Sequence, residues 1–278
     1  MSFIIWINGI VSEKIAVQDR GLHYGDGVWE TIAIQQGQAE FLHEHLQRLF
    51  FGCQQLGIEL PKSIQLREEI KIALQAIEQT QGILKIIITR GQGGRGYNPI
   101  GASQPCRILS THPWPDDQKK FYKHGINLTL CKTRLAYSPK LAGFKHLNRL
   151  EQVLARAEWQ AQFQEGLMMD YQDHIVEGVM TNVFIIKNET IITPPLEYCG
   201  IAGIMRAELM RLAEEDGISV KVSQLNIDDI YQADGLFLSN SILGLWPVKQ
   251  FLDKSYPIPI ITRQLQDRLI EFRPTMRR

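Results

Sequence analysis

The chain has 278 residues, of which 44% are hydrophobic and 22% charged, and its 30 basic residues balance 30 acidic ones. This composition excludes a disordered chain, and the balanced charge provides no field that would attract nucleic acid or anionic lipid. The apolar start "MSFIIWINGI" is too short to span a bilayer and lacks a basic leader. Four scattered cysteines without a CxxC pair favour a cytoplasmic protein without disulfides or a zinc site.

The first part of the chain alternates predicted strands and helices. Strands in "SFIIWING" and "WETIAIQQGQAEFL" carry Asn-Gly and Gln-Gly turns. A helix in "HEHLQRLFFGCQQLG" has an apolar face and a glycine cap, formed by Leu46, Leu49, Phe50, Cys53 and Gly57. A second helix is predicted in "SIQLREEIKIALQAIEQTQG", followed by a continuously buried strand "ILKIIITR" and a strand "RILSTHP".

A domain boundary is predicted in "HPWPDDQKK", where two prolines and polar residues interrupt the pattern. The expected division is an N-terminal domain over 1–112, a linker over 113–120 and a C-terminal domain over 121–278. Strands and helices are mixed in both parts without strict alternation. We therefore expect two α/β or α+β domains with the active site in the cleft between them.

The second part is predicted to contain a strand "GINLTLCKT", a helix over 146–163 and hairpins in "GLMMDYQDHIVEG" and "NVFIIKNETIITPP". Another helix, "GIMRAELMRLAEEDG", should end at Gly217. Lys145 follows a small-residue turn and is expected at the start of the helix over 146–163. An isolated lysine is ordinarily a solvated side chain, so its role depends on the motifs around it.

The stretch "GQGGRG" satisfies the G-x-G-x-x-G pattern of dinucleotide-binding turns. That motif requires a helix to begin at its last glycine, but the proline-containing "YNPIGASQP" follows. We therefore predict a loop that displays Arg95 and Tyr97, both suited to binding a carboxylate. The alternative is an ordinary glycine-rich surface loop with a solvated arginine, which the loop sequence alone favours.

Four features indicate anion or charge binding, each with a plainer alternative. The helix in "GIAGIMRAEL" begins with unpaired amides at Ile204 and Met205, as every helix does. Asn240 and Ser241 either close around an anion or form an ordinary turn. The last two features are single charged side chains. Arg48 either extends to solvent or reaches a buried anion, and Glu177 either has a buried partner or lies in a hairpin turn.

Hydrolase and nucleotidase motifs (Ser-His-Asp, GxSxG, HExxH, Walker A) are absent. The remaining set is a lysine, a carboxylate, anion-binding turns and two arginines. Pyridoxal phosphate chemistry requires such a combination.

The motifs "DRGLHYGDGVWET", "HLQRL", "RGQGGRGY", "GFKHLNRLEQVLAR", "VEGVMTNVF" and "GIAGIMR" together resemble the class IV (fold type IV) pyridoxal-phosphate enzymes. This family includes branched-chain and D-amino-acid aminotransferases and aminodeoxychorismate lyases. The resemblance runs from about residue 5 to residue 248. Within the family, "RGQGGRGY" and "KHLNRLEQVLAR" are most similar to the lyases.

The resemblance implies residue roles. Lys145 would bind pyridoxal phosphate covalently and act as the catalytic base, and Glu177 would face the pyridine nitrogen. The implied phosphate-binding residues are Arg48, Ile204, Met205, Asn240 and Ser241. The implied substrate-binding residues are Arg95, Tyr97 and Trp29. Two residues depart from the family pattern: Phe144 replaces leucine or isoleucine, and Met205 replaces a threonine whose hydroxyl contact is then lost.

The activity implied by the resemblance is the conversion of 4-amino-4-deoxychorismate into 4-aminobenzoate and pyruvate, a reaction of folate biosynthesis. The resemblance also implies a homodimer. The nearest alternative is an aminotransferase acting on D-amino or branched-chain amino acids, which would use the same lysine and glutamate. A non-catalytic, cofactor-sequestering protein is a third alternative, and the intact Lys145 and Glu177 argue against it.

Overall fold

A computed structural model describes residues 4–77, 80–115 and 118–272. The chain divides into two compact units, one formed by Met1–Pro115 with Phe144–Asn148 and the other by Asp116–Gly143 with Arg149–Arg278. Among the described residues, no helix is both long and apolar enough to cross a membrane. Both units mix helices with sheets, so the mixed α/β fold class is confirmed. The predicted domain boundaries and interdomain cleft stay predictions.

The first unit is built on an antiparallel sheet. Its strands are β1 (Ile5–Ile7), β2 (Ile10–Val11), β3 (Gly27–Gln35), β4 (Gln38–Ala39), β5 (Gln81–Thr89) and β6 (Cys106–His112). Their order across the sheet is β2-β1-β6-β5-β3-β4. Both predicted turns are confirmed: Asn8 and Gly9 link β1 to β2, and Gln36 and Gly37 link β3 to β4, all four with positive φ.

Three helices accompany this sheet, α1 (Arg20–Tyr24), α2 (Leu42–Leu56) and α3 (Ser63–Gln75). Helix α2 is confirmed, with Leu46, Leu49 and Cys53 buried and Gly57 in the left-handed conformation at its end. Helix α3 ends at Gln75, earlier than predicted, because the amide of Ile77 turns back to the carbonyl of Leu74. Residues 78–79 of the predicted helix lie outside the described residues.

Strand β5 was expected to be buried throughout, and this expectation is wrong. Leu84, Ile86 and Ile88 are fully buried, whereas Lys85 and Ile87, which alternate with them, remain partly exposed. The alternation is typical of an antiparallel sheet with one face packed against helices. The other face, which carries Lys85, therefore remains accessible within this unit.

The second unit contains a nine-stranded mixed sheet. Its strands are β7 (Ile126–Leu135), β8 (Glu165–Asp170), β9 (Ile175–Gly178), β10 (Asn182–Lys187), β11 (Thr190–Thr193), β12 (Val220–Val222), β13 (Gly235–Asn240), β14 (Gly244–Phe251) and β15 (Lys254–Ser255). The order is β12-β11-β10-β13-β14-β7-β8-β9, with β15 paired to β14. The predicted hairpins β8–β9 and β10–β11 are confirmed.

Five helices belong to this unit: α4 (Gln118–His124), α5 (Leu150–Arg156), α6 (Ile204–Glu215), α7 (Ile227–Gln232) and α8 (Ile260–Phe272). Helix α6 confirms its prediction, because Met205, Leu209 and Leu212 are buried and Gly217, just past its end, has a φ of 72°.

The helix predicted over 146–163 is wrong at both ends, since only Leu150–Arg156 is helical. Lys145 therefore does not begin a helix. Its segment, Phe144–Asn148, is part of the first unit. The lysine was expected in the C-terminal domain over 121–278. The reason is backbone pairing with β3: the Trp29 amide donates to the Lys145 carbonyl, and the Leu147 amide donates to the Gly27 carbonyl.

Candidate functional site

Lys145 is held against β3 by its neighbours in the first unit. The Trp29 amide donates to its carbonyl at 2.9 Å, and the indole Nε1 of Trp29 donates to the carbonyl of His146 at 3.2 Å. The Lys145 ammonium nitrogen lies 3.8 Å from the centroid of the indole ring. Phe144 is fully buried and packs edge-on against Phe51 of α2. The structure thus brings together Lys145 and Trp29, two of the sequence-predicted site residues.

Arg48 neither extends to solvent nor stands alone, because it pairs with a buried carboxylate. Its Nε and Nη2 donate to the two carboxylate oxygens of Glu30 at 2.7 and 2.6 Å, and His45 Nδ1 lies 2.7 Å from the same group. Burial alone would raise the pKa of Glu30, but Arg48 and His45 lower it to about 2. Glu30 therefore fixes the orientation of the Arg48 guanidinium, and a phosphate contact from Arg48 stays a prediction.

The "GQGGRG" stretch is followed by a loop rather than a helix, which confirms that prediction. Arg95 and Tyr97 are exposed in this loop. Arg20, which is buried, donates from its guanidinium to the carbonyls of three loop residues: Gly96 at 3.0 Å, Tyr97 at 3.1 Å and Asn98 at 3.3 Å. Its Nε donates to Asp26 at 2.8 Å. Arg20 thus anchors the loop from beneath.

Glu177 lies within β9 and is 3% exposed, so it is not a turn carboxylate. One of its oxygens accepts a hydrogen bond from the Ile201 amide at 2.8 Å. The Asn182 side chain donates to the carbonyl of the same Ile201 at 2.9 Å. Ile201 is consequently fixed through both of its backbone groups, three residues before helix α6 begins. Within the second unit, this brings Glu177 close to the start of that helix.

The N-terminus of α6 is built to leave its amides available. Gly203 is the N-cap residue, and no side chain caps the helix there. A Cβ atom on residue 203 would collide with Oδ1 of Asn182, so glycine is required. The first-turn amides of Ile204 and Met205 lie at the positive end of the helix dipole, where phosphate oxygens are bound in many proteins. The arrangement fits a phosphate group.

The side chain of Asn240 builds a turn. Its carbonyl oxygen accepts from the amides of Ile242 and Leu243 at 2.9 and 2.7 Å, and its Nδ2 donates to the Met180 carbonyl at 3.0 Å. Any contact between this position and an anion would therefore use backbone groups. Ser241, the next residue, is partly buried in the same turn.

Sequence reasoning missed Glu165, which is completely buried. Its carboxylate accepts from the amides of Gly166, Val179 and Met180 at 2.9, 3.1 and 3.1 Å and from the Thr181 hydroxyl at 3.3 Å. Burial raises the pKa of Glu165 to about 7 despite these donors. Glu165 thereby supports the turn between β9 and β10 from below. Glu165 is the first residue of β8, and a charged residue at a strand end is ordinarily solvated. The neighbouring sequence therefore does not indicate that this side chain is buried.

The chain is similar in sequence and in structure to known proteins. The family model for amino-transferase class IV matches residues 27–251. The chain is 36% identical to an aminodeoxychorismate lyase of Vibrio harveyi, over 96% of this chain and 99% of that protein. A crystal structure of 4-amino-4-deoxychorismate lyase from Pseudomonas aeruginosa superposes with a TM-score of 0.92 at 43% identity, covering 96% of this chain and 98% of that one.

An aminotransferase has a similar fold at lower identity. The branched-chain amino acid aminotransferase of Escherichia coli superposes with a TM-score of 0.87 at 25% identity, over 96% of this chain and 93% of that one.

Proposed function

The chain belongs to the class IV aminotransferase family, and from this membership we propose that it is a pyridoxal-phosphate-dependent lyase converting 4-amino-4-deoxychorismate into 4-aminobenzoate and pyruvate. The observation that carries the proposal is near-full-length similarity to two proteins named as that lyase, at 36% and 43% identity. 4-Aminobenzoate is a precursor in folate biosynthesis, so this is the pathway we assign. The scattered cysteines support a reducing, cytoplasmic location.

The residues that would hold the cofactor fit its chemistry. Lys145 supplies an amine for the covalent bond, and Glu177 supplies a buried carboxylate for the protonated pyridine nitrogen. The uncapped amides of Ile204 and Met205 would bind the phosphate. Arg48 and the turn at Asn240 and Ser241 complete the proposed phosphate-binding set. When bound, pyridoxal phosphate stabilises the electron pair left at the substrate's amine-bearing carbon.

The amine of Lys145 is proposed to act as the general base. It removes the proton from the amine-bearing ring carbon of the substrate. The bond between the ring and the enolpyruvyl oxygen then breaks, and the ring becomes aromatic. The departing group takes up a proton at its methylene carbon, from Lys145 or from water, and leaves as pyruvate. Glu177 would hold the pyridine nitrogen of the bound cofactor in its protonated form, because a neighbouring negative charge favours that form.

Arg95, Tyr97 and Trp29 are the proposed substrate-binding residues. The Tyr97 side chain is 86% exposed in the single chain. Helix α5 also exposes apolar side chains at Leu150, Val153 and Leu154, and such a patch favours association with another chain. We infer a homodimer in which the loop of one copy helps to close the pocket of the other, as the resemblance to the family implies.

The second candidate is an aminotransferase, favoured by the shared fold with the Escherichia coli branched-chain enzyme. Both activities need the same Lys145 and Glu177, so these residues do not discriminate between them. The lower identity of 25%, against 43% for the Pseudomonas aeruginosa lyase, supports the lyase.

A direct product assay tests the proposal. The purified protein, loaded with pyridoxal phosphate, is mixed with 4-amino-4-deoxychorismate, and both products are quantified. D-alanine and L-leucine, each with 2-oxoglutarate, are assayed in parallel. Equal amounts of 4-aminobenzoate and pyruvate with little amino-group transfer are expected. Rapid amino-group transfer without 4-aminobenzoate would assign the protein to the aminotransferases instead.

A further inference from the structure

Asn182 lies where two parts of the proposed cofactor site meet within the second unit. It is the first residue of β10 and is 6% exposed. Its partner on the neighbouring strand β13 is Ser239, one residue before the turn at Asn240. Asn182 is therefore at the same end of the sheet as that turn, although it is not among the residues proposed to touch the cofactor.

A short segment, residues 200–203, connects Glu177 to helix α6. The Ile201 amide donates to a Glu177 oxygen at 2.8 Å, and Gly203 is the N-cap residue of α6. A single residue, Ala202, separates these two points. The spacing between the Glu177 carboxylate and the first-turn amides of α6 therefore depends on the conformation of this segment.

Asn182 contacts the segment on both sides of Ala202. Its Nδ2 donates to the Ile201 carbonyl at 2.9 Å. Its Oδ1 lies so close to Gly203 that a Cβ atom there would be 1.9 Å away. The backbone of Gly203 is extended with a negative φ, which any residue adopts. The close approach of Asn182, and not the backbone conformation, is thus what requires glycine at position 203.

Backbone bonds to Gly143 hold the opposite edge of the segment. The Gly143 amide donates to the Gly200 carbonyl, and the Ala202 amide donates to the Gly143 carbonyl, both at 3.0 Å. In extended backbone the groups of the intervening residue point the other way. Ile201 accordingly directs its amide to Glu177 and its carbonyl to Asn182. The segment is held along one edge by main chain and along the other by these two side chains.

We propose that Asn182 is a positioning residue that keeps the Glu177 carboxylate and the first-turn amides of α6 at the spacing of the pyridine nitrogen and the phosphate of one cofactor molecule. The inference rests on the pyridoxal phosphate assignment in the proposed function. Because the two groups belong to one small molecule, both can be bound fully only if their protein partners lie at a matching distance. Asn182 sets that distance through Ile201 and Gly203, without a contact of its own to the cofactor.

Ligands that carry one or both groups test this alignment apart from turnover. Pyridoxine 5'-phosphate has the ring nitrogen and the phosphate, pyridoxine has only the nitrogen, and inorganic phosphate has only the anion. None has an aldehyde, so a covalent bond to Lys145 does not contribute. Their dissociation constants are measured by isothermal titration calorimetry, with competition for the weaker ligands, on the full-length protein before cofactor loading. The Tm of each protein is measured alongside.

The variant is Asn182→Ala, and the matched control is Asn226→Ala. The Asn226 side chain also makes a hydrogen bond in the second unit, accepting from the Asp229 amide at 3.0 Å as the N-cap of α7. Its loss should lower the Tm and leave the binding of all three ligands as in the wild type. The control therefore separates a loss of stability from a loss of alignment.

Asn182→Ala is expected to weaken binding of pyridoxine 5'-phosphate about tenfold, the effect of losing one hydrogen bond. Pyridoxine and inorganic phosphate should each lose much less, because either can follow its own partner when the two are misaligned. A loss for pyridoxine equal to that for pyridoxine 5'-phosphate would show an effect on Glu177 alone, and an equal loss for phosphate an effect on α6 alone. Either result overturns the alignment, and unchanged binding of pyridoxine 5'-phosphate overturns the whole inference. A wild-type protein that forms no absorbing complex with pyridoxal phosphate would instead reject the proposed function.

Gly203→Ala tests the same contact with Asn182 left in place. Of the three atoms nearest to the added methyl group, two belong to Asn182, and the third is the Cβ of Arg206 at 3.3 Å. Gly203→Ala should therefore weaken pyridoxine 5'-phosphate binding in the wild-type background and have little further effect in the Asn182→Ala background, as expected for residues in contact. Additive losses in the double variant would contradict the proposed role of Asn182.

Discussion

Lys145 and Trp29 are joined through both main chain and side chain: the Trp29 amide donates to the Lys145 carbonyl at 2.9 Å, and the Lys145 ammonium lies 3.8 Å from the indole centroid. The backbone bond fixes the position of the lysine along β3. The ring restrains the end of a side chain that otherwise has four rotatable bonds. Trp29 thus fixes both the position of Lys145 along β3 and the direction of its side chain.

Replacing Lys145 with alanine should abolish lyase turnover, with kcat lowered about 10³-fold or more, because the general base is lost. The absorbance of covalently bound cofactor should disappear as well. The matched control is Lys140→Ala, at an exposed lysine in the preceding turn, which should keep full activity. Substantial 4-aminobenzoate formation by the Lys145→Ala protein would refute the proposed role.

Replacing Glu30 with glutamine should lower the free energy of unfolding by about 3 kcal/mol or more at pH 7, because Arg48 and His45 would lose their buried counter-charge. The pKa of Glu30 is held at about 2, below its ordinary value, so its contribution to stability is present above about pH 4.5 and is lost as the pH falls toward 2. Urea denaturation at several pH values measures both effects. Glu44→Gln, at an exposed position of α2, is the control. Equal stability losses for the two variants would contradict the expectation.

Glu165 should have the opposite pH dependence. Burial raises the pKa of Glu165 to about 7. Ionising this carboxyl therefore lowers the free energy of unfolding progressively as the pH rises from about 4.5 to 7, and the loss is constant above pH 7. The stability of wild type relative to Glu165→Gln should therefore fall by about 3 kcal/mol between pH 4.5 and pH 8. Denaturation curves of both proteins across this range provide the measurement. Exposed Glu189→Gln should show no such trend. A difference that is independent of pH would count against a raised pKa.

Replacing Arg20 with methionine should release the loop that carries Arg95 and Tyr97, since three carbonyl contacts of its guanidinium disappear. Trypsin should then cleave after Arg95 several-fold faster, because proteolysis follows local opening. KM for the lyase substrate should rise if the loop binds it. Arg67→Met, on the exposed side of α3, is the comparison. Identical cleavage rates in the two variants would show that Arg20 does not anchor the loop.

Local patterns in the sequence predicted helices, hairpins and turns well. The face formed by Leu46, Leu49 and Cys53 and the cap at Gly57 are confirmed, as are the tight turns at Asn8 and Gln36. These features depend on residues a few positions apart. The helix expected around Lys145 is wrong because its periodicity is local, whereas the conformation of 144–148 is set by pairing with β3, more than a hundred residues earlier.

The same limit applies to the candidate site. Arg48 was expected to reach a buried anion or solvent, but its partner Glu30 lies on another element and could not be identified from spacing. Glu177 was recognised as a carboxylate in an apolar region, yet the Ile201 amide that it binds belongs to a distant loop. Lys85 stood within an apolar run, and only the structure places it beside Trp29.

The chain contributes to the first unit twice, as Met1–Pro115 and again as the five residues Phe144–Asn148. The two units are consequently not interchangeable modules. A fragment ending at residue 115 would form a sheet with an open edge at β3, prone to aggregation, and would lack Lys145. A fragment starting at residue 116 would contain Lys145 without β3, the strand that holds it. Recombination between relatives would therefore have to exchange β3 and the 144–148 segment together.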